Sequence, residues 1–288
     1  WALALHFINP HDICFHALAE YQETRGKTPF DPPLSTEVAT LLRALKRPVG
    51  VDEATFFADH CPPMPDNAAP QADEPEGIAT LLDQRPFRRR AREEWAEADW
   101  RLHRWAYCRL TEMVDAQIGV VLDALDDNGL TDDTVVIFTS DHGDHDGAHG
   151  LEHKTVPYEE AARIPLIIAA PGETDPGTVD GKSLCCNSVD LLPTLCDYAG
   201  AEVPDGLPGQ SLRCVAAGKE DAADRVVKIE FEFGDAWVDQ RFKYVRYDHG
   251  ANAEQLYDLV KDPGETRNFL HDEEMEEVRE RFRDLAEN

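Results

Sequence analysis

The feature that most constrains the fold is an apolar run that ends in a polar, glycine-rich turn, Val135-Val136-Ile137-Phe138-Thr139-Ser140-Asp141-His142-Gly143. The run predicts a buried strand, and the turn places a carboxylate beside an imidazole at the strand's carboxyl end. Both groups bind divalent cations. The sequence therefore predicts half of a metal site at Asp141 and His142; the alternative is a helix-capping Asp beside a core His.

Helical and strand patterns alternate around this turn. A helical pattern over residues 88–127 precedes a strand at 134–139, and a second apolar run at 164–170 precedes a helix that begins near Ser188. Such alternation is typical of an α/β fold with a mostly parallel sheet sandwiched by helices. Residues 1–8 predict a further core strand, and a chain that opens inside a strand suggests an N-terminally truncated domain.

The pattern of apolar and polar residues changes past residue 220. Alternating segments at 226–233 and 242–247, followed by a charged helix at 273–286, predict a small α+β subdomain with antiparallel strands. The expected domains are therefore residues 1–219 and 220–288. The proline-rich residues 24–77 predict a long irregular excursion, either a lid or substrate wall or a simple insertion.

Composition excludes several classes of partner. The net charge is -29, from 57 acidic and 28 basic residues, and this acidity disfavours nucleic acid as a partner. The same balance, with few lysines, indicates either an ordinary solvated acidic face or halophilic adaptation.

No apolar run reaches the roughly 20 residues of a membrane helix. Seven cysteines without framework spacing favour a reducing compartment, so we expect a cytoplasmic protein; the oligomeric state stays open.

The residues after the turn are rich in titratable groups. Residues 144–154 contain three histidines, three carboxylates and Lys154, whose ammonium suits an oxyanion such as sulfate or phosphate. His145, His149 and His153 are candidates either to support the metal ligands or to face the substrate, and we assign His149 and His153 to substrate binding. His11, in the loop after Asn9-Pro10, is a candidate proton donor to a leaving-group oxygen.

An ordered series of motifs resembles the sulfatases of the alkaline phosphatase superfamily. The series is Asn9-Pro10-His11-Asp12, Thr139-Ser140-Asp141-His142-Gly143-Asp144, Gly147-Ala148-His149-Gly150-Leu151, His153-Lys154-Thr155, Tyr158-Glu159-Glu160-Ala161, Arg163-Ile164-Pro165-Leu166-Ile167-Ile168, Pro171-Gly172, Ser188-Val189-Asp190-Leu191-Leu192-Pro193-Thr194, Gly206-Leu207-Pro208-Gly209-Gln210-Ser211-Leu212, Leu256-Tyr257-Asp258-Leu259 and Asp262-Pro263-Gly264-Glu265.

The resemblance implies an alkaline-phosphatase-like fold and hydrolysis of small-molecule sulfate esters. It implies that Asp141 and His142 hold part of one divalent-cation site, and that Lys154 contacts the sulfate. It assigns His11 to the sulfate or to the leaving group. Family precedent favours Ca²⁺, whereas the imidazole of His142 suits Mn²⁺, Zn²⁺ or iron better.

The family's nucleophile is a Cys or Ser converted to formylglycine within the motif Cys/Ser-x-Pro-Ser-Arg. No Pro-Ser-Arg occurs in the 288 residues, and Cys61-Pro62-Pro63 is followed by Met64-Pro65 instead of Ser-Arg. We therefore expect these residues to be the C-terminal portion of a sulfatase, inactive alone. Two alternatives remain: a phosphonate monoester or phosphodiester hydrolase of the same superfamily, and a degenerate domain that only binds its ligand.

Overall fold

A computed structural model describes residues 1–26, 35–219 and 224–287. The α-helices in this part of the chain are α1 (Phe15–Arg25), α2 (Ser35–Ala44), α3 (Glu53–Thr55), α4 (Glu76–Gln84), α5 (Pro86–Glu94), α6 (Glu97–Asp127), α7 (Glu159–Ala162), α8 (Asn187–Ala199), α9 (Arg213–Ala216) and α10 (Glu276–Glu287). The strands are β1 (Val136–Thr139), β2 (Leu166–Ala169), β3 (Val227–Phe231), β4 (Gly234–Val238), β5 (Phe242–Tyr247) and β6 (Glu254–Asp258).

The chain divides into two compact units. The first unit comprises residues 1–124 and 144–154, and the second comprises residues 125–143 and 155–288. The predicted boundary between residues 219 and 220 lies within the second unit, next to residues 220–223, which are outside the described part. Among the predicted site residues, Asp141 and His142 belong to the second unit, and the others belong to the first.

The first unit is helical, and the longest helix predicted from the sequence is interrupted in the structure. Where the sequence predicts one helix over 88–127, α5 ends at Glu94 and α6 begins at Glu97. The side chain of Asp99 accepts a hydrogen bond from the Ala96 N–H at 2.8 Å, which caps the new helix start. Among the described helices, none is both long and apolar enough to cross a membrane.

Two adjoining sets of apolar side chains form the core of the first unit. Their buried members are Ile13, Leu41, Ala44, Ala106, Leu110, Ala17, Leu18, Phe87, Ala91 and Trp100. They come from α1, α2, α5, α6 and the 3₁₀ turn before α1. This packing holds α1 and the start of α5 side by side.

The prediction of a core strand over residues 1–8 is wrong for this structure. These residues adopt no regular structure, and Trp1 and Ile8 are 82% and 76% exposed. A strand requires a neighbouring backbone for its hydrogen bonds. The described residues of the first unit contain no strand that could supply one.

The proline-rich residues 24–77 are more regular than predicted. Helix α2 and the α3 segment, which continues into a π-helical turn at Phe56–His60, lie within them. The side chain of Asp52 caps α3 by accepting from the Thr55 N–H at 3.0 Å. Residues 27–34 of the predicted excursion lie outside the described part.

The second unit contains the strand that leads to the polar turn. Strand β1 pairs antiparallel with β2, with Val136 opposite Ala169 and Thr139 opposite Leu166. Alternation of strands and helices predicted a mostly parallel sheet, whereas the strand pairs that the described residues form, this one included, are all antiparallel. The strand is also less buried than predicted, since Phe138 is 37% exposed.

The C-terminal residues form the predicted antiparallel subdomain. Strands β3, β4, β5 and β6 pair in sequence order, each antiparallel to the next. Phe282 of α10 is fully buried and stacks on Tyr244 of β5, with ring centroids 6.0 Å apart. The terminal helix thus covers one face of this sheet, which confirms the prediction.

Candidate active site

The Asp-His pair lies in a turn at the carboxyl end of β1, where the sequence predicts it. Asp141 is exposed and His142 is partly exposed, and the Asp141 Oδ2 to His142 Nε2 distance is 3.2 Å. The Ser140 hydroxyl donates to the His142 carbonyl at 2.7 Å, and the Asn187 side chain donates to the Ser140 carbonyl at 2.6 Å. These bonds fix the backbone that carries both side chains.

The geometry of this pair suits a cation. His142 Nδ1 lies 2.8 Å from the Gly143 carbonyl oxygen, so a proton on Nδ1 can be donated there. Nε2 then presents a lone pair toward the Asp141 carboxylate, and a positive ion satisfies both groups. The described residues contain no cluster of three or more metal-binding side chains. The two side chains therefore fit as part of a cation site that needs further ligands.

Gly143 fixes the position of the turn from its other end. Its N–H donates to the Ala161 carbonyl at 2.8 Å, which joins the turn to α7. A Cβ on residue 143 would overlap the Glu160 carbonyl oxygen. The close approach of two backbone segments therefore requires glycine at this position.

We expect Gly143→Ala to lower the free energy of unfolding by about 1–3 kcal/mol, the usual cost of an overpacked site. Gly119→Ala is the matched control, because nothing lies within 4 Å of a Cβ there and the residue is inside α6. The control should leave stability unchanged or raise it by up to about 1 kcal/mol. Urea unfolding measures both, and equal effects of the two variants would contradict the packing.

Within the second unit, a cluster of buried charged groups attaches the start of α7 to strand β5. Lys243 of β5 is fully buried, and its Nζ lies 2.6 Å from Glu159 Oε1 and 2.9 Å from Glu265 Oε1. Nζ also donates to the Pro157 carbonyl at 2.9 Å. Glu265 Oε2 in turn accepts from the Glu159 N–H at 2.6 Å. The C-terminal sheet thereby anchors the segment that packs on Gly143.

In the first unit, His11 and His153 lie close together. Their ring centroids are 6.1 Å apart, with the rings nearly perpendicular. His11 begins the 3₁₀ turn before α1, and its Nε2 is 3.7 Å from Cys14 Sγ. Burial raises the pKa of Cys14 to about 12, against an opposing contribution from the charge of Lys154. This thiol is therefore neutral.

The side-chain carboxyl group of Asp144, a partly buried residue, holds the loop from Asp144 to Lys154 in place. Asp144 Oδ1 accepts from the Asp146 N–H at 2.9 Å and from the His153 N–H at 3.2 Å. Burial, with a smaller contribution from Glu152, raises the pKa of Asp144 well above its usual range. The His145 N–H donates to the His153 carbonyl at 2.7 Å, so both ends of the loop are held together.

The predicted substrate-binding histidines differ in exposure. His149 is fully buried; its N–H donates to the Asn67 carbonyl at 2.8 Å, and its Nε2 lies 3.4 Å from the Asn67 side-chain nitrogen. His145 is also buried, whereas His153 and Lys154 are half-buried. The assignment of His149 and His153 to the substrate stays a prediction.

Residues that sequence reasoning missed lie beside His153. Arg85 and Arg88, at the start of α5, line a cavity with His153 and Cys14. The available signal was a run of arginines over residues 85–92 in a strongly acidic chain. Cys61, the one apparent match to the start of the nucleophile motif, is buried, and burial raises the pKa of its thiol.

Comparisons with known proteins define the family. The profile described as Sulfatase matches residues 1–201, and the profile described as N-sulphoglucosamine sulphohydrolase, C-terminal, matches residues 147–288. The Delta 4,5-hexuronate-2-O-sulfatase of Bacteroides thetaiotaomicron is 32% identical over 204 residues, which are 67% of this chain and 42% of that protein. The chain belongs to the sulfatase family.

Solved structures support the same fold. The structure of a 2-O GAG sulfatase gives a TM-score of 0.76 at 28% identity and covers 97% of this chain and 56% of that one. The phosphonate monoester hydrolase of Silicibacter pomeroyi gives a TM-score of 0.59 at 25% identity, over 75% of this chain and 48% of that one. The predicted alkaline-phosphatase-like fold is confirmed, and sulfatases generally use a divalent cation.

Proposed function

We propose that the protein is a sulfuric ester hydrolase that acts on a small-molecule sulfate ester. The observation that carries the proposal is the sulfatase match over residues 1–201, since it includes His11, Asp141, His142 and Lys154. Because the chain spans 42% of the length of its hexuronate-sulfatase relative, the activity is proposed for the natural gene product.

The chain supplies groups that act on a transferring sulfuryl group. Lys154 contributes an ammonium that neutralises charge on the nonbridging sulfate oxygens. When the bond from sulfur to the alcohol oxygen breaks, His11 donates a proton to that oxygen, and the alcohol leaves. The exposure of His11 and the partial exposure of Lys154 leave both accessible to a ligand.

Asp141 and His142 hold part of the cation site. A bound divalent cation supplies Lewis-acid stabilisation of the sulfate oxygens. Ca²⁺ is the cation proposed by family, and Mn²⁺ or Zn²⁺ are the alternatives because one ligand is an imidazole. The Ser140 and Gly143 hydrogen bonds orient this pair before the cation binds.

The nucleophile is proposed to be a formylglycine hydrate whose hydroxyl attacks sulfur. The 288 residues contain no Cys/Ser-x-Pro-Ser-Arg motif. The buried Cys61 thiol, with its raised pKa, does not replace it. We therefore expect these residues, expressed alone, to release no sulfate.

A second candidate is hydrolysis of phosphonate monoesters or phosphodiesters. The observation that favours it is the adjacent carboxylate and imidazole at Asp141 and His142, a ligand pair better suited to Mn²⁺ or Zn²⁺ than to Ca²⁺. The fold similarity to a phosphonate monoester hydrolase is consistent with it.

Comparing kcat/KM for 4-nitrophenyl sulfate and 4-nitrophenyl phenylphosphonate decides between these reactions. The natural gene product is assayed with Ca²⁺, Mn²⁺ or Zn²⁺ as the only added divalent cation. We expect at least a tenfold preference for the sulfate ester. A preference for the phosphonate would establish the second candidate, and saturable binding of both esters without turnover would establish a non-catalytic binding domain.

A further inference from the structure

A small cavity lies beside the proposed sulfate-contacting histidines, entirely within the first unit. Its volume is about 270 Å³, and it is lined by Cys14, Phe15, Leu18, Arg85, Phe87, Arg88 and His153. Small-molecule sites usually occupy about 300–1,000 Å³. The cavity therefore has room for one small ring rather than for an extended chain.

The lining connects the cavity to His11. Cys14 Sγ lies 3.7 Å from His11 Nε2, and the rings of His153 and His11 have centroids 6.1 Å apart. An ester whose sulfate reaches His11 would therefore have its alcohol portion next to this cavity. The walls determine which alcohols fit.

The walls combine apolar surface with positive charge. Phe15, Leu18 and Phe87 present apolar faces, which pack against the C–H groups of a ring. Arg85 and Arg88 complete the set of lining residues, and none of the described lining residues is acidic. On a chain with a net charge of -29, a cavity wall with two arginines and no carboxylate favours an anionic ligand.

Two carboxylates lie close to the lining residues, and neither is itself a lining residue. Glu152 is buried, and its Oε1 lies 3.1 Å from Arg88 Nε. The charge of Arg85 also acts on Glu152, so one carboxylate is shared between two guanidinium groups. Asp144 Oδ1 accepts hydrogen bonds from the backbone N–H groups of Asp146 and His153. Because neither Glu152 nor Asp144 lines the cavity, an anion that enters it faces Arg85 and Arg88 without a carboxylate in the same wall.

We propose that this cavity binds an acidic group carried by the alcohol portion of the substrate, and that Arg85 selects for that group. The group is a carboxylate or a second sulfate, because a guanidinium binds either through paired hydrogen bonds. The substrate class is therefore a sulfate ester of an acidic ring compound. The inference rests on the proposed function, since it extends the site at which that ester binds.

The kinetic test uses the natural gene product and three esters: glucuronate 2-sulfate, glucose 2,6-disulfate and glucose 2-sulfate. We expect Arg85→Gln to lower kcat/KM about 10- to 100-fold for the acidic ester that the cavity binds. The value for neutral glucose 2-sulfate should stay within about twofold. The ester with the larger loss identifies the acidic group as carboxylate or sulfate.

The control is Arg89→Gln, which removes the same charge four residues further along the chain. The Arg89 side chain pairs with Asp83 and Glu93 and does not line the cavity. This control variant should have the same kcat/KM as the wild type for all three esters. A general defect in folding would lower all three values in Arg85→Gln, and the inference would then be rejected, as it would be if neither acidic ester were affected.

A binding arm separates this inference from the proposed function. Calorimetry measures the Kd of glucuronate and of neutral glucose, neither of which carries a sulfate ester. Weaker glucuronate binding in Arg85→Gln by about tenfold supports the cavity even if no ester is hydrolysed. Equal binding of glucuronate to the wild type and to Arg85→Gln, or no binding to the wild type, excludes a carboxylate as the acidic group. The inference is overturned if, in addition, Arg85→Gln leaves kcat/KM for glucose 2,6-disulfate unchanged.

Discussion

Replacing Lys243 with Met is expected to lower the free energy of unfolding by about 3–5 kcal/mol. The lysine is fully buried, and its Nζ lies within 2.9 Å of Glu159, Glu265 and the Pro157 carbonyl. Removing it leaves Glu265 buried without its positive partner, because the Glu265 side chain is itself almost entirely inaccessible. Urea denaturation of the variant and the wild type measures the difference.

The matched control is Lys228→Met, which removes a half-exposed lysine of β3 that pairs with Glu230 and Asp235. Exposed ion pairs contribute about 1 kcal/mol or less, so the control should change little. Adding Glu265→Gln to Lys243→Met should recover part of the loss, because it removes the uncompensated charge. The account of the cluster is wrong if Lys243→Met and Lys228→Met have equal effects.

The loss of stability in Lys243→Met should depend on pH in a defined direction. Burial raises the pKa of Glu265 to about 7, even with Lys243 opposing the shift. Between its usual pKa and this value, the folded state holds more protons than the unfolded state, so this group lowers stability as pH rises. Without Lys243, the decrease in stability with rising pH becomes larger. The free energy of unfolding of Lys243→Met should therefore fall further below that of the wild type at pH 8 than at pH 5.

Lys154→Met is expected to lower kcat/KM for sulfate-ester hydrolysis by about 10²- to 10³-fold. The ammonium belongs to the loop that Asp144 fastens, and its charge already influences the pKa of Cys14 beside His11. Its position therefore suits stabilisation of charge on a sulfate that contacts His11. Steady-state kinetics of the natural gene product with a sulfate ester measure the loss.

The control for Lys154 is Lys46→Met, which removes the same charge from an exposed site after α2. It should retain nearly full activity, and circular dichroism should show both variants folded. A loss that appears only in KM would assign Lys154 to ground-state binding. Equal activity of the Lys154 and Lys46 variants would remove Lys154 from the site.

The sequence predicts the polar turn and the C-terminal sheet well because both depend on local patterns. The strand expected at residues 134–139 is found at Val136–Thr139, and Asp141 and His142 follow it. The alternating residues 226–233 and 242–247 become β3 and β5. Period-two alternation and a following turn specify such strands without reference to distant residues.

Features that depend on distant partners were not predictable. Residues 1–8 have the composition of a strand, but a strand also requires a paired backbone. The break between α5 and α6 depends on one capping contact at Asp99 within a continuous helical pattern. The cavity joins α1, the start of α5 and His153, which are far apart in sequence, so the placement of Arg85 beside His153 follows only from the fold.

The most direct measurement is the release of inorganic sulfate from a sulfate ester by the natural gene product, quantified by ion chromatography. We expect one sulfate to be released per alcohol formed. We also expect loss of the activity when divalent cations are chelated, and in Asp141→Ala. Full activity of Asp141→Ala would remove Asp141 from the cation site, and hydrolysis of phosphonate monoesters with no sulfate released from any sulfate ester would show that the protein is not a sulfuric ester hydrolase.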